Sequence, residues 1–187
     1  MRVIAGQYRS RRLFSMPGLD LRPTADRLRE TLFNILTSGS PDVLAGSVWL
    51  DLYAGTGAVG IEALSRGAKT VYFVEASAKA AELIRKNLKM LGTTLGAQVM
   101  VQDVGRALGG VSEPVDYIFL DPPYRLEAEY ARTLESLATL PSLSERTIVV
   151  AEHHKKFDPG EGFGDLHRYR KVVQGDAALS FYRRIGA

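Results

Sequence analysis

Asp121-Pro122-Pro123-Tyr124 follows the apolar run Tyr117-Ile118-Phe119-Leu120 and lies 70 residues after Asp51-Leu52-Tyr53-Ala54-Gly55-Thr56-Gly57. An acid followed by two prolines and an aromatic suits the gripping of an amine. Each proline fixes φ and lacks an N–H, so the turn is stiff and its carbonyls are free to face a ligand. The Asp121 carboxylate and the Pro122 carbonyl can each accept one hydrogen of an exocyclic amino group, and Tyr124 offers a flat face to a base. Together these residues point to methylation of an exocyclic amine. Such a nitrogen is a poor nucleophile because its lone pair is delocalised into the ring. Alignment and electrostatic stabilisation are then the main catalytic demands, and the departing proton is expected to reach Asp121 afterwards.

Gly55-Thr56-Gly57-Ala58-Val59-Gly60 satisfies G-x-G-x-x-G between an expected strand and helix, with Glu75 closing the next strand. Glycines let the backbone approach a ligand closely, and a carboxylate at a strand tip can accept both ribose hydroxyl protons. A dinucleotide and S-adenosylmethionine both meet that description. The remaining acids separate them: Asp51 before the glycines, Asp103 after the third strand and Asp121 after the fourth. Asp51 or Asp103 alone would read as a turn or cap residue. The ordered set gathers at one crevice beyond the carboxyl ends of the strands.

These residues need a sheet to position them. Apolar strands alternate with helical stretches: Val48 to Tyr53, a helix over Gly57 to Arg66, Thr70 to Glu75, a helix over Ser77 to Leu91, Gln98 to Val101, and Tyr117 to Leu120. A helix over Leu126 to Leu137, a strand over Thr147 to Ala151, and a closing hairpin of His167 to Val173 and Leu179 to Arg184 complete the pattern. It predicts an α/β doubly wound sheet, parallel in its first five strands.

Residues 1–40 form an expected extension. Met1 to Tyr8 and Arg11 to Phe14 are β-like and closed by Pro17-Gly18, and Thr24 is placed to cap a helix carrying Leu28, Leu32, Ile35 and Leu36 on one face. Residues 1–30 contain seven Arg against three acids, whereas the whole chain is only +3. Guanidinium forks suit phosphate, so Arg9, Arg11, Arg12, Arg22 and Arg27 are the expected nucleic-acid grip, with Arg22 nearest the site. The bland alternative is a solvated arm. His153-His154-Lys155-Lys156 reads as an exposed loop, and Trp49 as core.

At 187 residues and 45% hydrophobic, the chain suits one compact body, residues 41–187, with that extension. No apolar stretch approaches a membrane span and the N-terminus has no long apolar h-region, so a cytoplasmic protein is expected; the sequence leaves the oligomeric state open, with a monomer as the expectation. With no Cys there is no disulfide, no thiolate metal site and no cysteine adduct for pyrimidine-C5 methylation. The three His lack a metal-ligand pattern, so no metal is expected.

Arg2-Val3-Ile4-Ala5-Gly6, Arg22-Pro23-Thr24, Arg27-Leu28-Arg29-Glu30-Thr31-Leu32-Phe33-Asn34, the glycine loop and Asp121-Pro122-Pro123-Tyr124 occur in an order that resembles a known family over nearly the whole length. The chain is similar to class I S-adenosylmethionine-dependent methyltransferases with a Rossmann-like fold. Within them it resembles the bacterial family that methylates guanine N2 in small-subunit (16S) ribosomal RNA. The resemblance implies seven strands with the last antiparallel. It also implies a cofactor site of Asp51, Tyr53, Ala54, Gly55, Thr56, Gly57, Glu75, Ala76, Asp103 and Val104, in which the glycine loop holds the methionine part, Glu75 the ribose, and Asp103 with Val104 the adenine edge. The implied partner is ribosomal RNA, free or within an assembling small-subunit particle. Competing readings are an amino-methyltransferase of DNA adenine or a protein amide, where Asn usually replaces Asp121, an NAD-dependent oxidoreductase, and a non-catalytic RNA-binding protein.

Overall fold

The structure, a computed structural model, describes residues 1–15 and 23–186. Among them eight strands form one sheet. These are β1 (Val48–Leu52), β2 (Thr70–Val74), β3 (Ala97–Met100), β4 (Val115–Leu120), β5 (Leu143–His154), β6 (Gly162–Phe163), β7 (Leu166–Gln174) and β8 (Ala177–Arg184), in the spatial order β3-β2-β1-β4-β5-β8-β7-β6. β1 to β5 are mutually parallel. β8 inserts antiparallel between β5 and β7. The sheet is the expected one with one strand more, because two-residue β6 is too short to leave a periodic signal. β5 also starts earlier than its apolar run: exposed Ser144, Glu145 and Arg146 interrupt the hydrophobic pattern where the register with β4 shifts.

Strand side chains alternate between two cores. On one face Trp49, Phe73, Phe119, Val150 and Phe181 pack against α1 (Pro23–Leu36), α2 (Ala58–Ser65) and α3 (Ala78–Leu91). On the other, Leu50, Leu52, Ile118, Leu120, Val149 and Ala151 pack against α4 (Val104–Leu108) and α5 (Glu127–Ala138). Burial on both faces explains the unbroken apolar runs of the parallel strands. Trp49 is core, stacked between Phe33 and Tyr117 at centroid distances of 5.5 and 4.6 Å. Truncating a fully buried core side chain such as Leu134 would cost about 2–5 kcal/mol.

The N-terminal segment closes by an Arg2–Arg12 antiparallel bridge, with Val3 N–H donating to Arg11 O at 2.9 Å and Ser10 N–H to Val3 O at 2.9 Å. Val3, Leu13, Leu28, Leu32 and Phe33 enter the same core as Trp49 and Ile61. Buried Glu62 of α2 fixes the segment by accepting Ile4 N–H at 2.7 Å and Ala5 N–H at 2.9 Å. From α3, the Asn87 amide exchanges hydrogen bonds with both backbone groups of Phe14, at 2.7 and 3.1 Å. Pro17-Gly18 and Arg22 lie outside the described residues.

Three local expectations are corrected. α1 already includes Pro23, so Thr24 sits in its first turn instead of capping it; proline is pre-organised for that first helical position. α4 was not anticipated, being only five residues long with glycine in its first turn. His153 and His154 belong to β5, not to an exposed loop. His153 is fully buried with Nε2 2.9 Å from Ser180 Oγ, and burial lowers its pKa.

Candidate active site

The sheet order reverses at β1, whose neighbours β2 and β4 continue into α3 and α5 on opposite faces. The chain must therefore part beyond the carboxyl ends of the strands, the usual ligand position in an open α/β sheet. A cavity of about 1370 Å³ occupies that position. Ligand pockets typically measure roughly 300–1,000 Å³, so this one has room for a nucleotide-sized molecule and part of a second.

Asp51, Tyr53, Ala54, Gly55, Thr56, Glu75, Ala76, Asp103 and Val104 all line it, and so do Asp121, Pro122, Pro123 and Tyr124. Gly57 does not: it starts α2 with φ 75°, and a Cβ there would stand 3.2 Å from Ile84 Cγ1, so it shapes the turn from behind the wall. Gly60 is also behind the wall, where a Cβ would come within 2.4 Å of Phe73 Cε1; it brings α2 close to the sheet.

The first turn is held by carboxylates. Asp51 Oδ2 accepts Gly60 N–H at 2.9 Å. Glu75 Oε2 accepts Gly55 N–H at 2.8 Å and its Oε1 accepts Ser77 N–H at 2.7 Å. Tyr53 adopts φ 60°, a left-handed conformation that costs a non-glycine residue on the order of 1–3 kcal/mol. Its hydroxyl is tied 2.8 Å from Thr133 Oγ1 of α5. Asp103 caps α4 through Oδ1, accepting Arg106 N–H at 3.0 Å, and its Oδ2 lies 3.5 Å from Arg106 Nε, with the side chain 61% exposed.

At the second turn Asp121 follows β4 directly, and Tyr130 of α5 fixes the geometry. Its hydroxyl lies 2.9 Å from Glu152 O and 3.3 Å from Pro122 O, so it bolts the ends of β4 and β5 together. The Pro122 carbonyl is thus already engaged, with one lone pair left for a ligand. Tyr124 is 41% exposed at the mouth, with its hydroxyl 3.5 Å from Glu152 Oε1 and its ring edge-on to His154.

Carboxylates outnumber guanidiniums seven to two in this lining. Burial, opposed by the Gly60 hydrogen bond and helped by Glu75, pushes the Asp51 carboxyl up to about 7. Burial and then the charges of Glu152 and Asp51 push Asp121 well above the ordinary carboxylate range. Burial raises Glu152 to about 7 against the opposing effects of Tyr124 and Arg29. With acids outnumbering bases in its lining, the cavity suits a cationic ligand better than an anionic one.

Glu152, Tyr130 and Arg29 are the participants that sequence reasoning missed. Glu152 carried a signal, an acid directly after the fifth apolar run, as Asp121 is after the fourth. Arg29 was hidden among the arginines of the extension. It is 6% exposed, lines the cavity, and donates to Arg2 O at 2.6 Å and Asp26 Oδ1 at 3.0 Å. Arg9, Arg11, Arg12 and Arg27 are exposed and lie outside the cavity lining; Arg11 also donates to Met90 O at 3.2 Å. No cluster that could hold a metal occurs among the described residues, nor is any of their helices long and apolar enough to cross a membrane.

The family model described as "Conserved hypothetical protein 95" matches residues 1–183. The "Putative rRNA methyltransferase YlbH" of Bacillus subtilis (strain 168) is 37% identical, with all of both chains covered. "Ribosomal RNA small subunit methyltransferase D" of Escherichia coli (strain K12) is 32% identical over 98% of this chain and 90% of its own. Among solved structures, "Putative methyltransferase yhhF from Escherichia coli" superposes with a TM-score of 0.81 at 32% identity, over 98% of this chain and 97% of that one. The architecture is that of the class I methyltransferases, and the chain belongs to the conserved hypothetical protein 95 family, together with the relatives named ribosomal RNA small subunit methyltransferase D.

Proposed function

We propose that the protein methylates the exocyclic N2 of a guanine in small-subunit (16S) ribosomal RNA, using S-adenosylmethionine. The observation that carries this reading is the Asp121-Pro122 turn with Tyr124 at the mouth of a cavity whose far end is the glycine turn. The names and near-complete coverage of the relatives support the RNA class.

The residues present fit the cofactor. A Cβ at Gly55 would meet nothing closer than Tyr53 O at 3.9 Å, so its bare backbone leaves a cradle that a side chain would fill. The acidic lining suits a sulfonium cation. In this reading the turn over Tyr53 to Thr56 holds the methionine part, and Glu75 with Ala76 takes the ribose hydroxyls. Val104 and Asp103, whose carboxylate also pairs with Arg106, border the adenine. When bound, the cofactor supplies an electrophilic methyl group.

The chain's own residues do the rest. Tyr124 stacks on the base, and the Asp121 carboxyl oxygen and the free lone pair of Pro122 O each accept one hydrogen of the amine. The nitrogen lone pair is thereby turned out of conjugation, and nearby carboxylate stabilises the positive charge that develops. Removing one such preorganised group typically costs about 10²–10³ in rate. Arg9, Arg11, Arg12 and Arg27 of the Arg-rich extension hold RNA phosphates outside the acidic cavity, to whose lining the same extension gives Arg29, and Arg22 joins that grip. The protein acts as a cytoplasmic monomer, on free RNA or an assembling particle.

The test is transfer of labelled methyl from S-adenosylmethionine to small-subunit RNA, naked and in particles, followed by nucleoside analysis. Label in N2-methylguanosine is expected. Label in DNA adenine or protein amide and none in RNA would overturn the assignment in favour of the neighbouring amino-methyltransferase classes.

A further inference from the structure

Strand β5 brings a second carboxylate to the amine site. Leu120 of β4 is in register with Ala151 of β5, so Asp121 and Glu152 stand side by side one residue further on, both facing the cavity. The Tyr130 hydroxyl, in reach of Pro122 O and Glu152 O, fixes the spacing of the two strand ends. Tyr124 completes the group with its hydroxyl at Glu152 Oε1. A base stacked on Tyr124 would thus bring its amine to the strand ends where both carboxyl groups stand.

We propose that Glu152 is a catalytic residue that takes the proton leaving the exocyclic amine. This rests on the reading of the site as an RNA amino-methyltransferase. As the N–CH₃ bond forms from the nitrogen lone pair, the electron pair of the S–CH₃ bond stays on sulfur. The amine becomes cationic and loses the proton that had faced Pro122 O to the Glu152 carboxylate, which becomes a neutral acid and later returns the proton to solvent at the cavity mouth. Asp121 keeps its hydrogen bond to the other amine hydrogen.

The surroundings separate the two acids. Asp121 meets burial, Glu152 and Asp51, all of which disfavour its charge. Glu152 has the Tyr124 hydroxyl and the buried Arg29 guanidinium to favour its ionised form, although burial still holds it near 7. The groups around it are therefore Asp121 from β4, Asp51 from β1, Tyr124 from the proline turn, Tyr130 from α5 and Arg29 from α1, with His154 and Asp176 further along the same cavity wall. Of the pair, Glu152 is the member whose surroundings favour the ionised form. A base poised near the working pH is the effective kind, contributing typically 10²–10⁴-fold.

The experiment compares wild type, Glu152→Gln and Glu152→Asp in methyl transfer to small-subunit RNA across pH 5.5–9, with cofactor binding followed calorimetrically. Wild type should show a rate rising with pH through about 7. Glu152→Gln should lose about 10²-fold in kcat and the acid limb, and still bind S-adenosylmethionine. Glu152→Asp should be slower and keep the limb. Carboxyl ¹³C titration of the cofactor-free protein gives a readout independent of turnover: Glu152 should titrate near 7, above ordinary glutamates. Equal kcat and pH profile for Glu152→Gln and wild type, or a Glu152 that titrates with ordinary glutamates, overturns the role of Glu152 and leaves the RNA reading standing. No label from wild type in any RNA overturns the RNA reading and this proposal with it.

Discussion

Glu75 accepts the backbone N–H of Gly55 at 2.8 Å across the cleft between the tips of β2 and β1. Its other oxygen accepts Ser77 N–H, which leaves lone pairs on both oxygens for a ligand. Glu75 thus shapes the glycine turn and presents an acceptor to whatever lies in it. Glu75→Ala should raise the S-adenosylmethionine Kd about 10–100-fold in calorimetry, since hydrogen bonds to charged groups contribute about 1.5–3 kcal/mol each. Glu75→Gln should fall between. An unchanged Kd in both would remove Glu75 from the cofactor site.

Gly60 completes the G-x-G-x-x-G pattern without reaching the cavity. An added methyl would press on Phe73 and Val71 at 2.4 and 2.8 Å, moving α2 away from β2. Gly60→Ala should cost about 2 kcal/mol, which for a chain of this length lowers Tm by roughly 4–8 °C. The cofactor Kd measured well below the melt should change little. A large loss of affinity with unchanged Tm would assign Gly60 to the ligand instead of to packing.

Asp51 makes stability depend on pH. Its carboxyl is raised from 3.8 to about 7 by burial, so the native state favours the protonated form. That contribution is present in full below about pH 4 and is lost as pH rises through about 7. Asp51→Asn, which cannot ionise, should therefore gain on wild type as pH rises. In cofactor-free melts the Tm difference between variant and wild type should be more favourable to the variant at pH 8 than at pH 4.5, by roughly 5–10 °C. A difference independent of pH would mean that Asp51 ionises as freely as in the unfolded chain.

Arg9, Arg11 and Arg12 are exposed on the N-terminal segment, beyond the acidic lining. Replacing all three by Ala should weaken RNA binding and flatten the dependence of log K on log salt by about 2–3, since each phosphate contact contributes a slope of roughly 0.7–0.9. Filter binding at several salt concentrations measures this. Methyl transfer at saturating RNA should remain near the wild-type rate. An unchanged slope would return these arginines to the role of a solvated arm.

The strands, the glycine turn and the proline turn were legible because each is written locally. An apolar run buried on both faces, a glycine where the backbone bends and a proline that fixes φ leave their mark within a few residues of sequence. Asp51, Glu75, Asp103 and Asp121 could be ordered around one crevice because parallel strands with helical crossovers put all their carboxyl ends on one side. What the tertiary structure decided are relations across strands and helices far apart in the chain. Glu152 joins Asp121 through the β4–β5 register, Tyr130 ties the two strand ends, and Arg29 is turned from the basic extension into the core beside Glu62. Gly57 and Gly60 share a motif with Gly55, yet only Gly55 faces the cavity. Burial and charge proximity, which set the ionisation of the carboxyl groups, exist only once those distant elements have packed.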